Sequence, residues 1–291
     1  MDIGTAKPSI EERARLPHHL IDIRDPSEQF NVGDFVRLAT EAADAIAGRG
    51  AFPVVSGGTG FYLKNFILGL PETPPSDRNI RDTLRAELQE KGAAALMEEL
   101  ARFDPASAEK IHLNDTYRQL RALEVQRLSG RPLSSFAASG VGARFRYIVI
   151  GLTRPREELY RRINERCAAM FSQGLPDEVR KLFSMGYTPR DPGIRAIGYH
   201  EFFIRDEQDS PHEPGSFEID SSEPLYRFSN DISGVQALIA QNSRRYAKRQ
   251  ITFFASLPDV QWIEAGSDDA ETALRIREKT LRLLSGQITS A

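Results

Sequence analysis

Five groups of residues have the types and spacing that chemistry needs. The first is Ser56-Gly57-Gly58-Thr59-Gly60. Glycines let the backbone approach an anion, a following helix offers unpaired N–H groups and the positive end of its dipole, and Thr59 adds a hydroxyl. Its natural ligand is a phosphate or pyrophosphate, although a tight strand-to-helix turn needs the same residues. The second is Asn114-Asp-Thr-Tyr117-Arg118-Gln119-Leu120-Arg121, where Arg118 and Arg121, three apart, fall on one helical face. Two guanidinium forks side by side make a phosphate clamp, or an ordinary solvated face. Arg162 and Arg166, one turn apart, form the third, with Glu158 and Glu165 in reach to neutralise them. The fourth, Ile194-Arg195-Ala-Ile-Gly198-Tyr199-His200, sets an aromatic ring beside a flexible glycine and two donors, as in surfaces that stack single-stranded RNA. His200 has no ligand-spaced partner, so a metal role is not expected. The fifth is Ser243-Arg-Arg-Tyr246-Ala-Lys248-Arg249-Gln250-Ile-Thr252-Phe253-Phe254. It interleaves cations for phosphates, an amide for base edges and rings for stacking. Tyr246 and Phe253, seven apart, serve equally well as core contacts.

Elements must position these groups. Ala51 to Val55 reads as a short buried strand running into the glycine turn, and Phe61 to Leu68 as the helix after it. Residues 33–48 carry Phe35, Leu38, Ala42 and Ile46 at helical spacing. Pro71 to Pro75 marks a hinge. The pattern from Asn79 to Gly130 is helical throughout. Arg144 to Gly151 returns to strand, Glu157 to Phe171 to helix with Gly174 as its stop, and Gly234 to Leu257 to a long amphipathic helix. These readings give an α/β core, 1–71 and 138–291, interrupted by a helical insertion at 72–137.

Composition bounds the setting. With 40% hydrophobic and 27% charged residues the chain is ordinary for a soluble globular protein. Without a long apolar run or a basic, apolar start, it is expected to be cytoplasmic, with no membrane association. The single cysteine, Cys167, makes no internal disulfide or cysteine-cluster metal site. The net charge of −3 hides an asymmetry: residues 206–224 hold seven acids and no Lys or Arg, whereas Arg244, Arg245, Lys248 and Arg249 fall within six residues. Phosphate attraction is local, screened beyond roughly 8–10 Å, so the net charge does not exclude RNA. The acidic segment reads as a surface loop or partly disordered insert.

The order of the motifs is more specific than any one of them. Gly4-Thr-Ala-Lys-Pro8, His18-His-Leu-Ile-Asp22, Gly57-Gly-Thr-Gly-Phe-Tyr62, Arg118-x-x-Arg121-Ala-Leu-Glu-Val125, Arg162-Ile-x-x-Arg166, Gly174-Leu-x-x-Glu-Val179, Arg195-Ala-Ile-Gly-Tyr199 and Lys248-Arg-Gln-Ile-Thr252 follow in series. In this the chain, from residue 1 to about 255, resembles the bacterial tRNA dimethylallyltransferases. The resemblance implies a P-loop NTPase-like parallel-sheet core with a helical insertion domain. It also implies magnesium-assisted transfer from dimethylallyl pyrophosphate to N6 of the adenosine 3′ of the anticodon. By position it assigns Thr59 and Arg166 to the pyrophosphate. Arg81, Tyr117, Arg118, Gln119, Leu120 and Arg121 fall to the anticodon loop. Arg195, Gly198, Tyr199, His200, Lys248, Arg249 and Gln250 fall to the rest of the stem-loop. No obligate protein partner is evident.

The chain departs from the family pattern at Thr116-Tyr117, usually Pro-Gln, and at His200, Ser243 and Phe253, usually Arg, Thr and Trp. The family also begins with a Gly-Pro-Thr-Ala-Ser-Gly-Lys-Thr phosphate loop and a general-base Asp, and no Gly-x-x-x-x-Gly-Lys-Ser/Thr occurs in these 291 residues. The expectation is that Met1 corresponds to an internal methionine of the family, from a start placed too late. The chain as it stands would then lack that loop and the activity that depends on it. Two other classes share parts of the pattern: a P-loop nucleotide kinase, which would need the missing loop but not the basic-aromatic helix, and a non-catalytic RNA-binding protein.

Overall fold

Helix boundaries follow from caps written into the sequence. Ser9 and Glu12 form a capping box for α1 (Ile10–Arg15), and Asn31 and Asp34 another for α2 (Val32–Ala47). Helix α3 (Gly60–Leu68) follows the glycine turn directly. Asp77, Asp104 and Asp115 cap α4 (Arg78–Phe103), α5 (Pro105–Ala108) and α6 (Thr116–Ser129). Gly92, at φ 79°, kinks α4, and Gly130, at φ 67°, ends α6. After β1 (Ile150–Thr153), α7 (Arg156–Ser172) is separated from α8 (Leu175–Ser184) by Gly174 at φ 96°, a left-handed stop only glycine adopts cheaply. Strands β2 (Phe203–Arg205) and β3 (Tyr226–Phe228), helix α9 (Ile232–Phe254), strand β4 (Gln261–Glu264) and helix α10 (Asp269–Ile288) complete the order.

This computed structural model describes residues 1–136, 145–205 and 226–288. The acidic 206–224 segment lies outside the described residues. The chain divides into two compact units. In the first (1–67, 145–205 and 226–288 of the described residues), Cys167 and Met170 of α7, Val179 of α8, and Val235 and Ile239 of α9 close on Tyr199 and Phe202. A satellite cluster sets Phe66 of α3 against Ala39 and Ala43 of α2. Strand β1 pairs with β4 in parallel, from Ile150 opposite Gln261 to Thr153 opposite Glu264, and β2 pairs antiparallel with β3. In the second unit (68–136), Leu84, Leu96 and Leu100 of α4 pack on Ala122 and Leu123 of α6.

Two sequence expectations need correction. Ala51–Val55 is not a buried strand: Phe52 is 83% and Val54 87% exposed, and no described strand pairs with the segment. β-Branched residues favour extended backbone, but a strand exists only where a neighbour supplies its ladder. The strand expected over Arg144–Gly151 begins only at Ile150 and runs to Thr153. Before it, Phe145 and Tyr147 are used as rings, packed on Phe66 at centroid distances of 6.5 and 5.6 Å.

Candidate phosphate and nucleic-acid site

The glycine turn lies on α9. The Gly58 carbonyl accepts hydrogen bonds from Gln250 Nε2 at 2.8 Å and Tyr246 Oη at 3.3 Å. A Cβ on Gly60 would sit 2.2 Å from the Phe253 ring, so close approach requires that glycine, while one on Gly58 would sit 2.1 Å from Gln250 Nε2 and displace the Gln250 amide. Gly57 faces open space and Thr59 is exposed. The N–H groups of Thr59, Gly60 and Phe61 make no hydrogen bond to any described residue. A helix start with unpaired donors and a hydroxyl is an anion site in its chemistry.

Around the turn, α9 presents a second face. Arg245, Lys248, Arg249, Thr252 and Phe253 line a shallow hollow of about 520 Å³. Arg245 and Lys248 are exposed without an acidic partner among the described residues, and Arg249 stacks over the Tyr246 ring at 5.7 Å. Arg244 instead donates to Asn164 Oδ1 of α7 at 2.5 Å. On α7, Arg162 is consumed by Glu158 Oε1 at 3.0 Å and the Ser267 carbonyl at 3.1 Å. Arg166 is exposed and makes no hydrogen bond or ion pair to a described residue.

The Arg195–His200 turn serves a different end than expected. Tyr199 is fully buried and donates to Glu178 Oε1 at 2.6 Å, so its ring is closed to stacking by a base. Glu178 also accepts from the N–H groups of Asp2 and Ile3 at 2.7 and 3.0 Å. Burial pushes the Glu178 carboxyl up, but Tyr199 and these backbone donors outweigh it and hold it below the ordinary carboxylate range. The Tyr199 hydroxyl is pushed well up, by burial and by that carboxylate. Gly198, buried at φ 100°, donates its N–H to Glu201 Oε2 at 2.9 Å, while Asn242 of α9 donates to Glu201 Oε1 at 3.0 Å. The turn is thus tied to α9. Its exposed groups are Arg195, whose guanidinium also donates to the Pro189 and Arg190 carbonyls, and the half-exposed His200.

In the second unit the expected Arg118–Arg121 clamp does not form. Arg121 turns inward, donating to Glu124 Oε2 at 2.7 Å, Thr73 Oγ1 at 3.1 Å and the Pro74 carbonyl at 2.7 Å. Glu124 is fully buried and also accepts from Ser76 Oγ, the Asp77 N–H and Arg81 Nε at 2.6, 2.9 and 3.2 Å. Burial raises this carboxyl, and those donors bring it below its ordinary value. The Gln119 side chain is also buried, donating to the Leu113 carbonyl at 2.6 Å, and Leu120 is half-buried. Neither Gln119 nor Arg121 offers a free side chain to a ligand. What faces outward is Arg118, paired with Asp115 at 3.3 Å, and Tyr117, 68% exposed with the Arg81 guanidinium 5.5 Å from its ring centre. Glu124, Glu178 and Glu201 were missed as organisers. Their one sequence signal was an acid inside or beside a motif rich in Arg, Gly or Tyr.

The family model described as IPP transferase matches residues 1–257. The tRNA dimethylallyltransferase of Geobacter sulfurreducens is 41% identical over 266 residues, 91% of this chain and 79% of that one. tRNA dimethylallyltransferase 1 of Syntrophotalea carbinolica is 37% identical over 293 residues, covering 100% and 84%. The crystal structure of a tRNA isopentenylpyrophosphate transferase from Bacillus halodurans matches with TM-score 0.61 and 33% identity, over 100% of this chain and 86% of that one. A eukaryotic dimethylallyltransferase acting on tRNA, at TM-score 0.73 and 21% identity, shares the fold over 99% of this chain and 69% of its own. With those motifs in order and that extent of match, the chain belongs to the IPP transferase family, the prenyl-transferring enzymes that include the tRNA dimethylallyltransferases.

Proposed function

We propose that this enzyme transfers a dimethylallyl group from dimethylallyl pyrophosphate to N6 of the adenosine 3′ of the anticodon in tRNA. The observation that carries the reading is the glycine turn seated on α9, with the N–H of the exposed Thr59 making no hydrogen bond to a described residue and exposed cations along the same helix. In the transfer, the allylic C–O bond breaks, an N6–C bond forms, pyrophosphate departs and the N6 proton passes to solvent. Adenine N6 is a weak nucleophile, so holding it in line with the allylic carbon supplies much of the rate. Thr59, the N–H groups at the start of α3 and Arg166 stabilise the charge growing on the leaving group. Lys248, Arg249, Arg195 and His200 hold the anticodon stem-loop, and Tyr117, Arg81 and Arg118, on a helical insertion spanning 72–137, meet its loop. Extracting the adenine from its stack costs a few kcal/mol, offset by stacking and edge contacts to the extracted base.

Magnesium is part of the implied reaction, but no cluster of three or more His, Cys, Asp or Glu that could hold a metal occurs among the described residues. The steps above rest on this chain's own groups. No described helix is long and apolar enough to cross a membrane. We place the enzyme in the cytoplasm, working on tRNA without an obligate protein partner.

The test measures transfer to an anticodon stem-loop by the full-length form of the enzyme carrying Thr59→Ala or Arg166→Ala. Each is expected to lower kcat/KM for the donor about 10²-fold, in the range for lost transition-state donors, with stem-loop affinity unchanged. An equal loss of stem-loop binding in both variants would overturn these roles.

A further inference from the structure

Gln250 lies within the basic-aromatic run of α9, where an amide reads most simply as a contact to a base. The geometry points to a different role: Gln250 and Tyr246 are positioning residues that hold one peptide of the glycine turn in the orientation an anion needs. This rests on the reading that the turn receives the pyrophosphate.

The planarity of a single peptide sets the geometry. In a trans peptide the C=O and the following N–H point in opposite directions. Gln250 Nε2 at 2.8 Å and Tyr246 Oη at 3.3 Å draw the Gly58 carbonyl onto α9. The Thr59 N–H of the same peptide is therefore directed away from α9, and it makes no hydrogen bond to a described residue. Rotation of this peptide turns ψ of Gly58, which glycine leaves free, together with φ of Thr59. With its two donors gone, nothing on α9 would oppose a flip that presents the carbonyl oxygen to the anion and turns the N–H inward. An attractive contact would then become a repulsive one.

The same helix therefore has two jobs on two faces. Tyr246, Gln250 and Phe253 (i, i+4, i+7) lie under the turn. Arg245, Lys248, Arg249 and Thr252 line the hollow beside it, to which Phe253 also contributes. Gln250 cannot read a base with the N–H it gives to Gly58.

The experiment uses the full chain and two independent titrations. One is with inorganic pyrophosphate and dimethylallyl pyrophosphate by calorimetry. The other is with an anticodon stem-loop across a range of salt. Gln250→Leu is expected to weaken both pyrophosphate ligands about tenfold, the size of one lost hydrogen bond plus an unpaired carbonyl. Stem-loop affinity should stay within about twofold, with an unchanged log–log salt slope. Tyr246→Phe, which removes only the longer bond, should cost about threefold on the same axis. A purely structural role would instead lower both titrations together. The inference is overturned if Gln250→Leu weakens the stem-loop while pyrophosphate binding is intact. It is overturned equally if Tyr246→Phe, folded by circular dichroism, leaves pyrophosphate binding untouched where Gln250→Leu does not fold. Thr59→Ala separates the two readings. If it weakens pyrophosphate and Gln250→Leu does not, only the positioning role fails. If neither does, the pyrophosphate site itself lies elsewhere.

Discussion

Helices α6 and α9 each carry basic residues three apart, Arg118 and Arg121 on one and Arg245 and Lys248 on the other, and the structure uses them in opposite ways. On α6, Arg121 turns inward onto the buried Glu124 while Arg118 stays outside. On α9, Arg245, Lys248 and Arg249 all remain open. The difference is the acid: Glu124, three residues after Arg121 and with no exposure, gathers Arg81, Arg121, Ser76 and the Asp77 N–H into one closed network. No acid stands in that relation to Lys248 or Arg249. Spacing therefore says which residues share a face, and the neighbouring element decides whether that face meets solvent or a carboxylate. Arg121 is tied into the packing of the second unit, and the cations of α9 are free for a polyanion.

Glu124→Gln sharpens this contrast most. It would leave two guanidiniums in the second unit without their counter-charge, and breaking a buried pair costs about 3–5 kcal/mol. The expected result is an early loss of the helical signal of that unit in urea, and an unchanged midpoint would dissolve the contrast.

The next effect is a pH dependence at Glu87, on α4. Arg127 Nη1 and Nη2 donate to its two oxygens at 2.7 and 2.9 Å, and this, first among the causes, holds its carboxyl at about 2. The folded value lies below the unfolded one near 4.5, so the contribution is complete above that pH and is lost as pH falls toward 2. Glu87→Gln should thus be about 1–2 kcal/mol less stable than the parent at pH 6, a partly buried pair, with the gap closing in acid. Melting both proteins between pH 6 and 2.5 checks this, and a gap constant with pH would assign the cost to packing.

The smallest effects belong to the open cations. Lys248→Ala and Arg249→Ala should each weaken stem-loop binding by about 1 kcal/mol and reduce the log–log salt slope by about 0.7–0.9, with little change in stability. Loss of stability at constant slope would place Lys248 and Arg249 with Arg121, as structural groups.

Much of this molecule was legible in its residues. Caps such as Asn31, Asp77 and Asp115 set where helices begin, and Gly130 and Gly174 set where they end, because these are local demands of backbone donors and left-handed φ. The glycine turn and the long basic helix were also readable, as chemistry and as elements. What residues alone did not settle was every matter that needs a second element. Ala51–Val55 had strand composition and found no described ladder partner. Tyr199 was an aromatic beside glycine and became a buried donor to Glu178. Gln250 was an amide among cations and became a clamp on the Gly58 carbonyl. A side chain's type fixes what bonds it can form. Which bond it does form depends on the group that folding brings within 3 Å, and burial then raises the cost of leaving it unmade.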